Sequence, residues 1–195
     1  MKYNFDLEDH SKKYKKIILM IVIFIVEIAA VVTAAYFITH YGLQTMTISG
    51  DAMAPTLKDG DQILINKMSY GLHGINRNDV AVVSQDGSEH KYYSVLRVIG
   101  LPGESVKIED GAVYIDGEKL TEKYNFPEME NGGLALEEFK LDDEEYFMLG
   151  DNRNECEDSR NANVSNILEK DIVGKAWFRL NSVAVIGQIN GFDDE

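Results

Sequence analysis

A long apolar run near the amino terminus constrains this chain more than any other feature. The run extends from Ile17 to about Ile38 and contains almost no polar residue. About 20 such residues cross a bilayer as a helix, whereas the apolar region of a cleavable signal peptide has about 7 to 15. The sequence therefore predicts a transmembrane signal anchor over residues 17–38. A buried core helix is the less favoured alternative, because the strand-rich remainder offers little for such a helix to pack against.

The charges around this segment predict its orientation. Lysines are scarce on its carboxyl-terminal side. The amino-terminal flank contains Lys12, Lys13, Lys15 and Lys16. Because positive residues stay on the cytoplasmic side of a membrane, we expect residues 1–16 in the cytoplasm and residues 42–192 outside it. Glu27 lies near the middle of the segment, where a carboxyl is costly unless neutralised or paired. It is either a contact with another membrane protein or a tolerated neutral carboxyl.

Composition excludes several classes of function. The chain has 19 basic and 33 acidic residues, a net charge of −14. Residues 1–41 hold five lysines and four acids, so the remainder carries a net charge near −15 and has no basic cluster that could bind nucleic acid. Cys156 is the single cysteine, which excludes an intrachain disulfide. No Cys/His set has metal-ligand spacing, and we predict neither a metal nor a cofactor.

After the anchor the sequence changes to short strand-like runs separated by Gly, Asn and Asp. A tight meander is predicted over residues 105–120, because apolar residues alternate there around Asp-Gly pairs at 110–111 and 116–117. An acidic excursion follows at about 121–143. The expected outer domain is mostly β, with further strands predicted at 45–48, 62–66, 80–83, 92–99, 146–149 and 176–180.

Three segments in a fixed order carry the strongest functional pattern: SGDAMAPTL (49–57), YSVLRVIGLPGE (93–104) and GDNRNECEDSR (150–160). Together they resemble the bacterial type I signal peptidases, membrane-anchored enzymes that cleave signal peptides from exported proteins with a Ser/Lys dyad. The resemblance covers most of residues 10–192. It implies a single-pass protein of the bacterial plasma membrane, with an extracytoplasmic domain of two antiparallel β-sheets.

The same resemblance shows that the dyad is missing. The family's serine stands just before the Met of the first segment and its lysine just before the Arg of the second, and these positions hold Ala52 and Leu96. A serine attacks only when a neighbouring base takes its proton, and a lysine can do so only when its pKa is lowered enough to leave it neutral. The chain as written is therefore predicted to have no intact catalytic residue.

The rest of the site frame matches the family. The resemblance assigns the following positions to the frame or the substrate groove: Gly50, Asp51, Met53, Pro55, Arg97, Asp151, Asn152, Cys156, Asp158, Ser159 and Arg160. It implies that the acidic and arginine residues of the third segment pair with one another. Cys156 and Asn163 depart from the usual Ser and Gly. Because these departures from the family pattern cluster around the positions of the dyad, we favour natural loss of activity. Deliberate introduction of Ala52 stays open as the alternative.

Three functional hypotheses follow. The leading one is a pseudopeptidase that binds exported precursors such as pilin subunits, as an adaptor or chaperone, because the chain looks like dyad-lacking members of Gram-positive bacteria that support pilus assembly. The alternative is a signal peptidase, a serine endopeptidase present in inactivated form or using an unrecognised nucleophile. Ser49 and Ser94 lie near the altered positions, but the sequence places no base beside them. The third is a decayed paralogue without a client.

Overall fold

The computed structural model describes residues 7–86, 91–122 and 124–188, and it divides into two units, Met1–Gly42 and Leu43–Glu195. In the first unit, helix α1 runs from Leu7 to Phe37 and is followed by a π-helical turn, Ile38–Gly42. The helix begins ten residues before the predicted apolar segment, because the lysine-rich flank consists largely of good helix formers.

An 18-residue window within the stretch Lys13–Gly42 has a mean hydropathy of 3.0, and among the described residues this is the one helix long and apolar enough to cross a membrane. Two hydroxyls in it donate to carbonyls one turn earlier. Thr33 Oγ1 donates to Ala29 at 2.7 Å, and Thr39 Oγ1 donates to Ala35 at 2.9 Å. Because lipid offers no hydrogen-bond partner, these internal bonds suit an apolar setting.

The second unit consists of two antiparallel sheets, which confirms the predicted mostly β fold. In the larger sheet the strand order is β1-β2-β11-β3-β4-β9-β10, with β12 on β11, and in the smaller sheet it is β7-β6-β5-β8. The strands are β1 Leu43–Thr47, β2 Gln62–Asn66, β3 Val80–Asp86, β4 Lys91–Gly100, β5 Ser105–Glu109, β6 Ala112–Ile115, β7 Glu118–Lys119, β8 Phe139–Lys140, β9 Glu145–Leu149, β10 Ile167–Leu168, β11 Ile172–Arg179 and β12 Ala184–Val185.

The predicted meander is confirmed as β5, β6 and β7. Each of its two-residue turns has a positive φ at both positions: 50° at Asp110, 72° at Gly111, 52° at Asp116 and 80° at Gly117. Such turns suit the right-handed twist of a hairpin, and Asp-Gly adopts them readily. The alternating apolar side chains of β5 and β6 are buried, so this small sheet has one face in a core.

Two regions differ from the sequence-based expectation. The acidic excursion is not separate from the sheets, because it returns as β8, where Phe139 pairs with Val106 of β5. The last long strand, β11, begins at Ile172 rather than at Ala176. Gly174 hides this extension in the sequence, since a glycine weakens a strand pattern. In the structure a Cβ at Gly174 would lie 2.8 Å from the carbonyl oxygen of Asn66, so the close approach of β2 requires glycine.

Short helices complete the unit: α2 Ser69–His73 and the 3₁₀ turns Gly133–Leu136, Glu169–Asp171 and Ile186–Gln188.

Strand β4 changes partners along its length. Residues 91–97 pair with β3, and pairing with β9 starts only at Arg97 opposite Leu149. Among the described residues, 92–96 therefore have no sheet neighbour on that second edge. Within the same described part of the chain, strand β1 pairs with β2 alone. These two incompletely paired edges frame the site described next.

Candidate functional site

Three distant segments meet at one place in the second unit. Strand β9 runs directly into residues 150–160 and pairs with β4, which holds Leu96 and Arg97. The backbone N–H of Asn152 donates to the carbonyl of Ala52 at 3.1 Å, and its side-chain amide donates to the carbonyl of Asp51 at 3.2 Å. The structure thus joins the three segments that the sequence singled out.

A buried ion pair lies between these segments. Arg97 is 1% exposed and Asp151 is 0% exposed. Arg97 binds the carboxylate through Nε to Oδ1 at 2.7 Å and through Nη2 to Oδ2 at 2.5 Å. Thr56 Oγ1 also donates to Oδ2 at 2.5 Å, and Arg97 Nη1 donates to the carbonyl of Asn78 at 3.0 Å. A bidentate arginine–carboxylate pair has a specific geometry, so it holds these segments in one mutual arrangement.

A second ion pair shapes the segment after β9. Arg160 binds both carboxylate oxygens of Asp158 at 2.8 Å, and Asp158 Oδ2 accepts the N–H of Gly150 at 3.2 Å. Arg160 also donates to the carbonyls of Asn131 and Arg153.

Ser159 exchanges hydrogen bonds with the backbone of Met148. The Met148 N–H donates to Ser159 Oγ at 3.1 Å, and the Ser159 N–H donates to the Met148 carbonyl at 3.0 Å. The residues after β9 are thereby folded back against the strand itself.

Aromatic side chains of the acidic excursion cover the arginines, and the sequence reasoning missed them. The Arg97 Cζ atom lies 5.0 Å from the ring centre of Tyr124 and 5.5 Å from that of Phe126. The Arg153 Cζ atom lies 4.1 Å from the Phe126 ring, and Arg153 pairs with Glu122. Aromatic faces attract cations, and this attraction strengthens where water is excluded. The sequence feature that could have indicated this cover is a pair of aromatic residues beside a proline in an otherwise acidic stretch.

Ala52 and Leu96 line one pocket of about 150 Å³, called the Ala52 pocket below. Its lining includes the buried apolar residues Ile48, Met53, Val95 and Leu96 and the exposed residues Ser49, Gly50, Tyr93 and Glu157. Residues of β1 and of the half-paired part of β4 both contribute to it. Among the described lining residues there is no lysine, arginine or histidine.

The turn that holds Ala52 has a shape that its residues explain. Gly50 has a φ of +84°, which favours glycine, and nothing lies within 4 Å of where its Cβ would be. Its N–H donates to Asp59 Oδ1 at 2.8 Å. Met53 anchors the turn in the core, and Pro55 is half-buried within it. The turn thus holds Ala52 in the wall of the Ala52 pocket.

Cys156 lies against the backbone of Gly150. A Cβ at Gly150 would lie 2.2 Å from Cys156 Sγ and 2.7 Å from the carbonyl oxygen of Ala52, so only glycine fits between them. Burial is the main reason that the pKa of the Cys156 thiol is raised to about 12; the charge of Asp158 acts in the same direction and that of Arg160 in the opposite one. The thiol is therefore protonated at neutral pH and is a poor nucleophile.

Comparison with known proteins identifies the family. The profile of the family described as "Signal peptidase, peptidase S26" matches residues 18–181. This chain belongs to the signal peptidase family. Signal peptidase I T of Bacillus subtilis (strain 168) is 35% identical over 158 residues, which cover 77% of this chain and 80% of that relative. Signal peptidase I U of the same organism is 34% identical over 169 residues, which cover 84% of this chain and 87% of that relative.

A solved structure is also similar. The signal peptidase I of Enterococcus faecalis V583 matches with a TM-score of 0.41 and 27% identity, over 52% of this chain and 95% of that one. The family resemblance that the three sequence segments indicated is thus confirmed by the family profile and the Bacillus relatives.

The buried ion pair makes a stability prediction. Asp151→Ala leaves the Arg97 guanidinium buried without its anion, and removing one partner of such a pair costs about 3 to 5 kcal/mol. We expect a large drop in the free energy of unfolding, measured by denaturant titration. Glu109→Ala breaks the exposed Lys107–Glu109 pair and is the matched control, with almost no expected change. Equal effects of the two substitutions would show that Asp151 is not structurally required.

The raised pKa of Cys156 predicts a delayed titration. Thiolate absorbance of the native protein should stay low through about pH 10 and rise toward pH 12, whereas the denatured chain should titrate near pH 9. Because the native pKa is the higher one, the stability contributed by the neutral thiol is complete below about pH 9 and is lost as the pH rises toward 12. Cys156→Ala provides the baseline. A native transition near pH 9 would contradict the burial argument.

Proposed function

We propose that this chain is a signal-peptidase-like pseudopeptidase, which binds an extended segment of an exported precursor without cleaving it. The main observation behind this proposal is that Ala52 and Leu96 line one pocket. The resemblance assigns these two positions to the nucleophile and the base. No described residue of the pocket is a lysine, arginine or histidine. In a Ser-His-Asp protease, loss of nucleophile or base costs on the order of a million-fold in turnover. Both losses together argue against proteolysis.

The two incompletely paired edges support the binding part of the proposal. Residues of β1 and residues 93–96 of β4 both line the Ala52 pocket. A peptide entering between these segments as an extended strand would find backbone partners on both sides, without needing Ser or Lys. Proteins usually cover exposed strand edges because such edges invite aggregation. An open pair of edges beside a pocket therefore supports a role in capture.

The buried frame argues against a decayed copy. Apolar residues of similar volume often replace a buried ion pair without loss of stability. A chain released from function could exchange both partners of a pair for apolar residues, and this chain instead holds Arg97 with Asp151 and Arg160 with Asp158 in full hydrogen-bonded geometry. Their presence supports a site whose shape is still used.

The client proposed here is a pilin subunit or another exported precursor, and the role is that of an adaptor or chaperone in surface pilus assembly. The support is the resemblance to dyad-lacking family members of Gram-positive bacteria. Strand capture suits this role, because it holds a client through its backbone and releases it unmodified.

The anchor carries the remaining part of the proposal. We expect residues 1–16 in the cytoplasm, so protease added to spheroplasts should digest the second unit and leave the amino-terminal tail intact.

Glu27 is proposed to contact a cation of another membrane protein. Glu27→Gln should then reduce crosslinked complexes, while Glu8→Gln, a change in the flank, should not. Digestion of the tail would refute the orientation, and unchanged crosslinking would refute the contact.

One observation favours testing the alternative, a working signal peptidase with an unrecognised nucleophile. Ser49 and Ser94 line the Ala52 pocket together with the exposed carboxylate of Glu157. A carboxylate close to a hydroxyl is a possible general base. Ser94 Oγ, however, donates to Gln85 Oε1 at 3.2 Å, so its proton is directed at an amide oxygen.

The deciding experiment is a cleavage assay in proteoliposomes with a pre-pilin and a generic pre-protein. The unaltered chain should be inert, because Ala52 and Leu96 stand at the positions that the resemblance assigns to the nucleophile and the base. The variant Ala52→Ser with Leu96→Lys should cleave at least one substrate, which would show that the groove still binds precursors. Ala52→Ser alone is the matched control and should remain inert, since it lacks the base.

Cleavage by the unaltered chain would overturn the pseudopeptidase proposal, and loss of that cleavage in Ser49→Ala or Ser94→Ala would identify the nucleophile. The Leu96→Lys substitution introduces an amine into the core and lowers stability, so the melting temperature of the double variant is measured alongside. Crosslinking of pre-pilin to the unaltered chain tests binding independently, and its absence would count against the proposed capture.

A further inference from the structure

Glu157 is the one charged residue in the described lining of the Ala52 pocket. Its neighbours Cys156 and Asp158 turn inward, whereas Glu157 is exposed and lines the pocket. Its carboxylate has no ion-pair or hydrogen-bond partner among the described residues. The frame carboxylates differ in this respect, because Asp151, Asp158 and Glu122 each bind an arginine. Among the described lining residues, Glu157 is thus the one charged side chain, and its carboxylate is exposed and has no partner.

The pocket combines this anion with an apolar interior. Ile48, Met53, Val95 and Leu96 contribute buried apolar surface, and Glu157 contributes a carboxylate at the exposed rim. Lysine and arginine side chains have the same two-part character, with an apolar stem and a charged tip. A purely apolar side chain would cover the carboxylate without pairing it, and an acidic one would be repelled. The pocket therefore discriminates by charge as well as by size.

Nothing on the chain competes for this carboxylate within the described pocket lining, which contains no basic residue. The part of the chain after residue 41 also carries a net charge near −15, since the whole chain has −14 and residues 1–41 hold five lysines and four acids. A field of this sign attracts cationic segments and repels anionic ones during encounter. Local and overall charge favour the same kind of client.

We propose that the Ala52 pocket selects extended precursor segments that present a lysine or arginine to it, with Glu157 accepting the charged tip at the rim. This inference rests on the proposed capture of an extended peptide and names the chemistry of the segment captured. Glu157 is a specificity-determining residue in this arrangement, and the apolar lining that includes Leu96 packs against the stem.

The effect should be modest and salt-dependent. Ion pairs at exposed sites contribute little, so the preference for a cationic side chain over an uncharged one of equal length should be about two- to fivefold in affinity. It should shrink at about 1 M salt, where the screening length falls to about 3 Å.

The test uses the full chain in nanodiscs of zwitterionic lipid and measures peptide affinity by fluorescence anisotropy. The probes are nine-residue peptides of alanine, serine and threonine with one lysine, scanned through each position to find the register. At the best position the lysine is then replaced by norleucine, which keeps the stem without the charge, and by glutamate.

The expected order for the unaltered chain is lysine, then norleucine, then glutamate. Glu157→Gln should make lysine and norleucine equivalent, and Glu157→Lys should place glutamate ahead of lysine. Glu155→Gln is the matched control, because Glu155 is exposed two residues away and does not line the pocket. That variant should keep the original order.

Equal affinity for the three peptides, or the same loss of preference in Glu155→Gln as in Glu157→Gln, would overturn the charge selection and leave peptide capture standing. Failure of the folded chain to bind any peptide of the scan would overturn both this inference and the proposed capture.

Discussion

The buried pair of Arg97 and Asp151 is the interaction on which the site depends. It joins strand β4 to the segment after β9, and through Thr56 it also holds the turn that carries Ala52. A carboxylate and a guanidinium removed from water are stable only when their hydrogen bonds are satisfied with good geometry. The three segments therefore keep one mutual arrangement, and Asp158 with Arg160 holds the third segment in the same way.

This arrangement separates the shape of the site from its chemistry. The ion pairs and the aromatic cover of Tyr124 and Phe126 are made by residues outside the described lining of the Ala52 pocket, and they include neither Ala52 nor Leu96. A buried lysine would require desolvation of an amine, whereas Leu96 packs in the apolar core beside Cys156. The proposed replacement of the dyad is therefore compatible with an intact frame. For the proposed pseudopeptidase this is the physical condition for keeping a groove without catalysis.

Several features could be predicted because they depend on neighbours in sequence. The meander followed from two Asp-Gly pairs between alternating apolar residues, and strand β2 was predicted with its observed ends at Gln62 and Asn66. The start of β11 was missed because Gly174 interrupts the strand pattern. Glycine is required there by the close approach of β2, which the sequence does not show. The return of the excursion as β8 was missed for the same kind of reason, since a two-residue strand has no pattern of its own.

The sequence by itself determined the long apolar helix, the mostly β character of the second unit and the family. It also determined that Ala52 and Leu96 stand at the positions that the resemblance assigns to the nucleophile and the base. These follow from composition, from local periodicity and from ordered motifs, none of which needs a contact between distant residues. Only the tertiary structure decided that Ala52 and Leu96 share a pocket, that the excursion covers Arg97, and that Glu157 lines that pocket without a partner among the described residues. Burial and pairing arise between residues far apart in the chain, and a single sequence carries no direct record of them.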